Sequence, residues 1–399
     1  MTNKPRFVGE KVKLGELGKT QSGGTPSSKH PEFFSGSIPW IGTTALNGKL
    51  LDESNAVKMI TAEAVAKSAT KIVPAGSIMV GIRVGVGKVA INSVPMCTSQ
   101  DIVSIIGINE EQWNKEYISL ALQHKAPILA SQAQGATITG ITSKTLKSIT
   151  IPVFPLASQN AIVLRLRSIE QQIACIKKLL NQLDSLVKSR FVEMFGDPVD
   201  DKIWPYVTLA ELCTKLGSGA TPRGGKSTYK TEGIPLIRSM NVHNGRFVWR
   251  DLAYIDDAQA AKLNGVTLVK GDVLLNITGA SVARSCILPD ELAGGRVNQH
   301  VSIVRVDQTK MLPVILNAAL ISDSYQRFLL NDSRMAGATR EAITKEDLKN
   351  MMVPLPPLSL QQQFANFAVQ VDKSRFIAQQ QIEKLQMLYD SLAQDYFGD

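Results

Sequence analysis

The reactive side chains in this sequence are amides, hydroxyls and cations at the edges of glycine-rich stretches. "TQSGGTPSSKH" carries Ser22, Thr25 and Lys29, and "KLGSGATPRGGKST" carries Ser218, Thr221, Arg223 and Lys226. Backbone N–H groups and hydroxyls in such loops suit phosphate oxygens, although a plain turn between strands uses the same residue types. "GSIMVGIRVGVGKVAI" holds Arg83 and Lys88, and "GDVLLNITGASVARSCI" holds Thr278 and Arg284. Each of these cations suits either a DNA contact or a solvated surface. "SQD" and "NQH" hold Gln100, Asn298 and Gln299. Their amides have the donor and acceptor to read adenine, or to satisfy a strand end. Arg238 and Asn241 follow "IPLI", while Thr139 and Arg340 stand one place apart in two further matching stretches, "GATITGIT" and "GATREAIT".

Groupings that would carry catalysis are missing. "GVGK" lacks the Ser/Thr and the first glycine of a phosphate-cradling loop. "RGGKST" has Gly-Lys-Ser but carries Ala220 where the loop needs glycine. The Pro-Pro of "LPPL" has no amide or acid before it to hold a methyl-accepting amine. The four cysteines and four histidines are scattered without metal spacing, and no Gly-x-Ser-x-Gly elbow occurs. No catalytic residue, cofactor or metal is therefore expected. The formal charge of +9 favours polyanionic partners. No apolar run reaches the roughly 18 residues of a spanning helix, so no membrane is expected. Separate cysteines fit a reducing cytoplasm.

The elements that hold these residues are written twice. "GATITGITSKTLKSITIPVFPL" aligns without gaps to "GATREAITKEDLKNMMVPLPPL", and the same offset sets Phe195-Gly196-Asp197 on Phe397-Gly398-Asp399. "SGGTP" meets "GSGATP", "IPWI" meets "IPLI", and "SQDIVSI" meets "NQHVSIV". Each copy is a globular part of short β-branched strands and helices, followed by a long helix. One helix is expected across Glu110 to Ala133, with Trp113 and Tyr117 on its apolar face. Thr344-x-x-Asp347 marks a helix start, and Ser359-x-x-Gln362 predicts a capping box. Ile162, Leu166, Ile169, Ile173, Ile176, Leu180, Leu183 and Val187 form a seam of about four heptads. Its second copy is Phe364, Ala368, Val371, Arg375, Ala378, Ile382, Leu385 and Tyr389, interrupted at Arg375. Such helices, about 37 residues or roughly 55 Å long, need a partner for their stripe, and each is the other's. Gly196 and Gly398 suit the residue that ends a helix.

These motifs, in this order and across nearly the whole chain, resemble a type I restriction-modification specificity subunit. The resemblance implies an α+β fold of two tandem target recognition domains and two helices in an antiparallel coiled coil. The expected domains are residues 1–155 and 198–357, each followed by a spacer helix, 156–197 and 358–399. The resemblance further implies a DNA-reading subunit without catalysis, each domain reading half of a bipartite double-stranded target and the helices setting the spacer. Its partners would be two modification subunits that methylate adenine and restriction subunits that cleave DNA using ATP. Diverged contact positions, such as Ile138-Thr139-Gly140 against Arg340-Glu341-Ala342, imply an asymmetric target. A coiled-coil scaffold or adaptor without a DNA role, and a catalytic subunit with a dispersed site, are the competing readings.

Overall fold

The computed structural model describes residues 9–133, 140–222, 224–331 and 342–398. Thr139, Arg223, Arg340 and Asp399 lie outside the described residues. The chain forms two compact units: Met1–Lys177 together with Gln380–Asp399, and Lys178–Gln379.

In the first unit "GSIMVGI" becomes the strand Ile78–Gly81, buried at every position. It lies at the centre of a five-stranded sheet, ordered Lys19–Ser22, Ile102–Ile106, Ile78–Gly81, Val89–Asn92, Leu50–Leu51. Central strands covered on both faces need apolar residues throughout rather than alternation, which is what this run supplies. A second sheet runs Lys58–Ile60, Ile38–Ile41, Met96–Thr98, Ile72–Val73. The helical pattern over 110–133 resolves into two helices, Lys115–His124 and Ala126–Ser131. Asn114 starts the first by accepting from the Glu116 and Tyr117 amides at 2.8 and 3.1 Å. Trp113 therefore precedes the helix rather than lying on its face. Pro127, which has no N–H to give, falls in the first turn of the second helix and separates the two.

The second unit repeats this plan. Its four-stranded sheet runs Cys213–Ser218, Val301–Val306, Val273–Asn276, Ser285–Ile287. A three-stranded sheet runs Ala253–Ile255, Ile234–Ile237, Arg296–Val297. Asp272 opens the central strand and is wholly buried. It takes Arg305 bidentately, Nε to Oδ1 at 2.7 Å and Nη2 to Oδ2 at 2.9 Å, and accepts the Val269 amide at 2.9 Å.

The long helices are Leu156–Phe195 and Leu358–Phe397, each of 40 residues. Both seams are buried or half-buried along their length. In the first unit Arg165 donates to the Tyr396 hydroxyl at 2.7 Å, and Ile162 and Leu166 share a core with Ala393 and Phe397. In the second, Phe191 packs edge-on against Phe364, and Arg375 answers Asp184 at 2.5 Å and Asp372 at 2.8 Å. Rising numbers on one helix meet falling numbers on the other, so the segments pair antiparallel within each unit. The arginine that breaks the second seam is thereby held by an ion pair.

Two terminal details differ from expectation. Ser359 is already inside its helix, so no Ser359–Gln362 box forms. A buried glutamine anchors the start instead: Gln361 accepts from Leu312 N at 2.8 Å and donates to the Pro356 and Lys310 carbonyls. Gln159 does the same in the first unit with Asn114, Phe154 and Gln112. Gly196 adopts the left-handed backbone expected after a helix (φ 76°), whereas Gly398 closes the last turn on Gln394 without it. The Thr344–Asp347 capping box forms as read.

Candidate nucleic-acid interface

The glycine-rich loops end at the strand edges that carry the amides. In the first unit Ser22 closes an edge strand opposite Val103. The next residue has no room for a side chain: a Cβ on Gly23 would lie 2.2 Å from the Ser99 carbonyl oxygen. Gly24 donates its amide to Thr98 O at 2.8 Å and receives the Trp40 indole N–H at 3.0 Å on its carbonyl. This presses the loop onto the segment Thr98–Asp101, and the Thr25 hydroxyl donates to Gln100 Oε1.

The second unit builds the same joint. Ser218 ends its strand opposite Ser302. A Cβ on Gly219 would lie 1.7 Å from Val297 O. The Thr221 hydroxyl donates to Gln299 Oε1.

Beside each joint lies a pair of side chains in one backbone frame but of different chemistry. Ile82 N donates to Asp101 O at 2.8 Å, and Ile277 N to His300 O at 3.0 Å. The residue after each isoleucine faces the residue after each glutamine. In the first unit this gives Arg83 and Asp101, an ion pair at 3.6 Å. In the second it gives Thr278 Oγ1 and His300 Nδ1 at 2.5 Å, with His300 Nε2 3.2 Å from Gln299 Nε2. A third chain position enters alongside: Ile141 N donates to Ile82 O at 2.7 Å and Ile343 N to Ile277 O at 2.8 Å.

The structure thus brings Ser22, Thr25, Arg83 and Gln100 together in one unit, and Ser218, Thr221, Thr278 and Gln299 in the other. Lys88 stands on the far arm of the turn that begins near Arg83, exposed, its methylenes lying over Gly85. Lys29 and Lys226 are exposed on loop and 3-10 turn. Arg238 is held over the Tyr229 ring (5.4 Å to the centroid) and donates to the Asp251 carbonyl; its counterpart after "IPWI" is Gly42, with open space around it.

Two amides turn inward. Asn241 is fully buried, accepting from Arg238 N at 3.1 Å and donating to the Val248 and Arg250 carbonyls. Asn298 is 5% exposed and accepts from His300 N. Both shape loops, and Asn241 spends its whole amide on the backbone. Arg284 lies apart, beside His243; burial, with Arg284 and Arg246 adding repulsion, holds that imidazole below its usual pKa. It is therefore neutral at pH 7 and adds nothing to the basic surface.

Sequence reasoning passed over Asp101, His300 and Tyr229. Asp101 and His300 stand next to the amides it selected, but one is an acid and the other an imidazole, so repeat matching discards them as unrelated. Among the described residues no group of three His, Cys, Asp or Glu side chains is placed to hold a metal, and no helix is long and apolar enough to cross a membrane. Burial pushes the Cys213 and Cys286 thiols up to about 12, so neither supplies a thiolate nucleophile near neutrality.

Comparison with known proteins bears on both units. The family model for the type I restriction modification DNA specificity domain matches twice, over residues 9–185 and 202–387. The type I restriction enzyme MjaIX specificity subunit of Methanocaldococcus jannaschii is 23% identical over 95% of this chain and 90% of its own length. The EcoR124I/EcoR124II specificity subunit of Escherichia coli is 36% identical over 38% of each chain. Among solved structures, one described as showing complex assembly and conformational transition of the type I R-M system aligns over 98% of both chains, with a TM-score of 0.61 at 19% identity. The S subunit from M. genitalium aligns over all of this chain and 98% of its own, with a TM-score of 0.53 at 14% identity.

Proposed function

Since the chain belongs to the type I restriction modification DNA specificity family, we propose that it reads a bipartite double-stranded DNA target, one half-site per repeat, within a complex of modification and restriction subunits. The observation that carries this reading is the twice-built joint. The same threonine–glutamine bond sits at the same loop in both repeats, while the neighbouring pairs have changed from Arg83–Asp101 to Thr278–His300. Groups that differ between repeats fit half-sites that differ.

The chain itself is taken as non-catalytic, as befits relatives named specificity subunits. Chemistry falls to partners: two modification subunits on the two equivalent surfaces that an internal repeat supplies, and restriction subunits with them. The site of action is the cytoplasm. The recognition domains are assigned to 1–155 and 198–357, and the helices between and after them act as the spacer.

The test is methylation mapping of DNA from cells expressing this chain with its modification partner. Exchange of residues 1–155 for those of another such subunit is expected to change one half of the methylated sequence and leave the other intact. Simultaneous change in both halves refutes the assignment. In the same assay, one heptad added to each long helix, after Leu180 and at the facing point of the second helix, is expected to change the number of unread base pairs between intact half-sites. A fixed spacer in such a variant removes the helices' spacing role.

A further inference from the structure

Two kinds of group stand side by side in each repeat, one kept and one changed, and they divide the work of reading DNA. The kept group is the threonine–glutamine clasp. Thr25 and Thr221 each give their hydroxyl proton to a glutamine Oε1. That bond takes one of the two lone pairs of the oxygen, while both glutamines are exposed and keep N–H groups to donate. In the first unit, among the described residues, neither N–H of Gln100 meets a partner. In the second, one N–H of Gln299 meets His300 Nε2 at 3.2 Å and one is left. Bidentate recognition of adenine needs both ends of an amide, donor and acceptor together. The threonine ties the acceptor end to the loop and leaves the N–H groups as the freer end. A donor held in this way suits a partner that only accepts, and a phosphate oxygen is such a partner.

The second argument comes from the repeat. A group identical in both units cannot tell two different half-sites apart. It serves something both half-sites share, and the phosphodiester backbone, present in every sequence, is such a feature. The changed group can discriminate: Arg83 with Asp101 offers cationic donors and an anionic acceptor, whereas Thr278 with His300 offers a hydroxyl and an imidazole. Building on the reading of the chain as a DNA-recognition subunit, we propose that Gln100 and Gln299 grip phosphate, positioned by Thr25 and Thr221, and that Arg83–Asp101 and Thr278–His300 read bases.

The test uses the complete complex with its modification partner and the variant Gln100→Glu. A carboxylate still accepts the Thr25 hydroxyl, so the clasp and the fold persist. The outward N–H is replaced by an anionic oxygen facing a phosphate. Affinity is measured on a duplex carrying the complex's own methylated site and on an unrelated duplex. A loss of about tenfold or more is expected on both, with the melting temperature and the methylated sequence unchanged. Arg83→Gln is expected to alter the sequence accepted in the first half-site alone. A Gln100→Glu variant that changes that half-site, while keeping wild-type affinity for unrelated DNA, makes the glutamine a base reader and overturns the proposal. Unchanged affinity on both duplexes reduces the clasp to a loop fastening and overturns it equally. A wild-type complex that binds neither duplex is a separate result, and it refutes the DNA-recognition reading itself.

Discussion

Replacing Phe397 by alanine is expected to cost the first unit about 3–5 kcal/mol. Residues in the last turn of a helix ordinarily tolerate change, because helix ends fray and bury little. Phe397 is 1% exposed. Its ring lies 5.4 Å from Tyr117 and 6.0 Å from His124, in a core that also holds Leu120, Leu166 and Ala393. Truncation removes the buried apolar area and leaves a cavity walled by a sheet, a helix and the start of the first long helix, none free to collapse inward. The check is calorimetric unfolding beside Phe397→Leu, which keeps most of the volume and should recover most of the loss. A Phe397→Ala cost under about 1 kcal/mol would sink the claim that the last turn is part of this core.

A change of similar size is expected from Asp272→Ala in the second unit. Removing one partner of a buried ion pair costs about 3–5 kcal/mol, and because Arg305 is partly exposed and keeps the Thr267 carbonyl, the expectation lies at the low end of that range. Here the stranded groups are the Arg305 guanidinium and the Val269 amide. For a unit of this size such a loss lowers the melting temperature on the order of 10 °C. The first unit carries the uncharged Ser77 at the equivalent position, buried, with its hydroxyl donating to the Pro74 carbonyl at 2.7 Å, so the site does not demand a charge as such. The paired replacement Asp272→Ser with Arg305→Leu should accordingly recover part of the loss. Equal instability of single and double variants would mean that the strand, not the ion pair, was at fault.

Much of this architecture is legible in the sequence. The heptad seams are, because a stripe on a long helix has to be covered and its period survives in the residue types. The strands of the central sheets are, because fully buried strands are written as unbroken apolar runs. Other features escape for identifiable reasons. Gln159 and Gln361 look like solvent-facing helix residues, and only the fold supplies the carbonyls and amides that bury them. Asn241 resembles a free amide until the turn around it closes. The Ser359 box fails because Pro356 and Pro357 let the helix begin earlier than its capping letters suggest. The pairs at Arg83 and Thr278 are invisible because hydrogen bonds across a sheet edge join residues far apart in sequence, with no spacing rule to betray them.

The division of the chain into Met1–Lys177 plus Gln380–Asp399 around an uninterrupted Lys178–Gln379 also fixes an order in time. A ribosome delivers every part of the second unit before it makes residue 380. The first unit, begun earliest, is the last whose parts are all present. At roughly 5–20 residues per second, its sheets stand without Ala393 and Phe397 for about 10 to 40 s. For that interval the apolar surface that will receive Ala393 and Phe397 is open to other proteins in the cell, which is when a chaperone has a surface to hold.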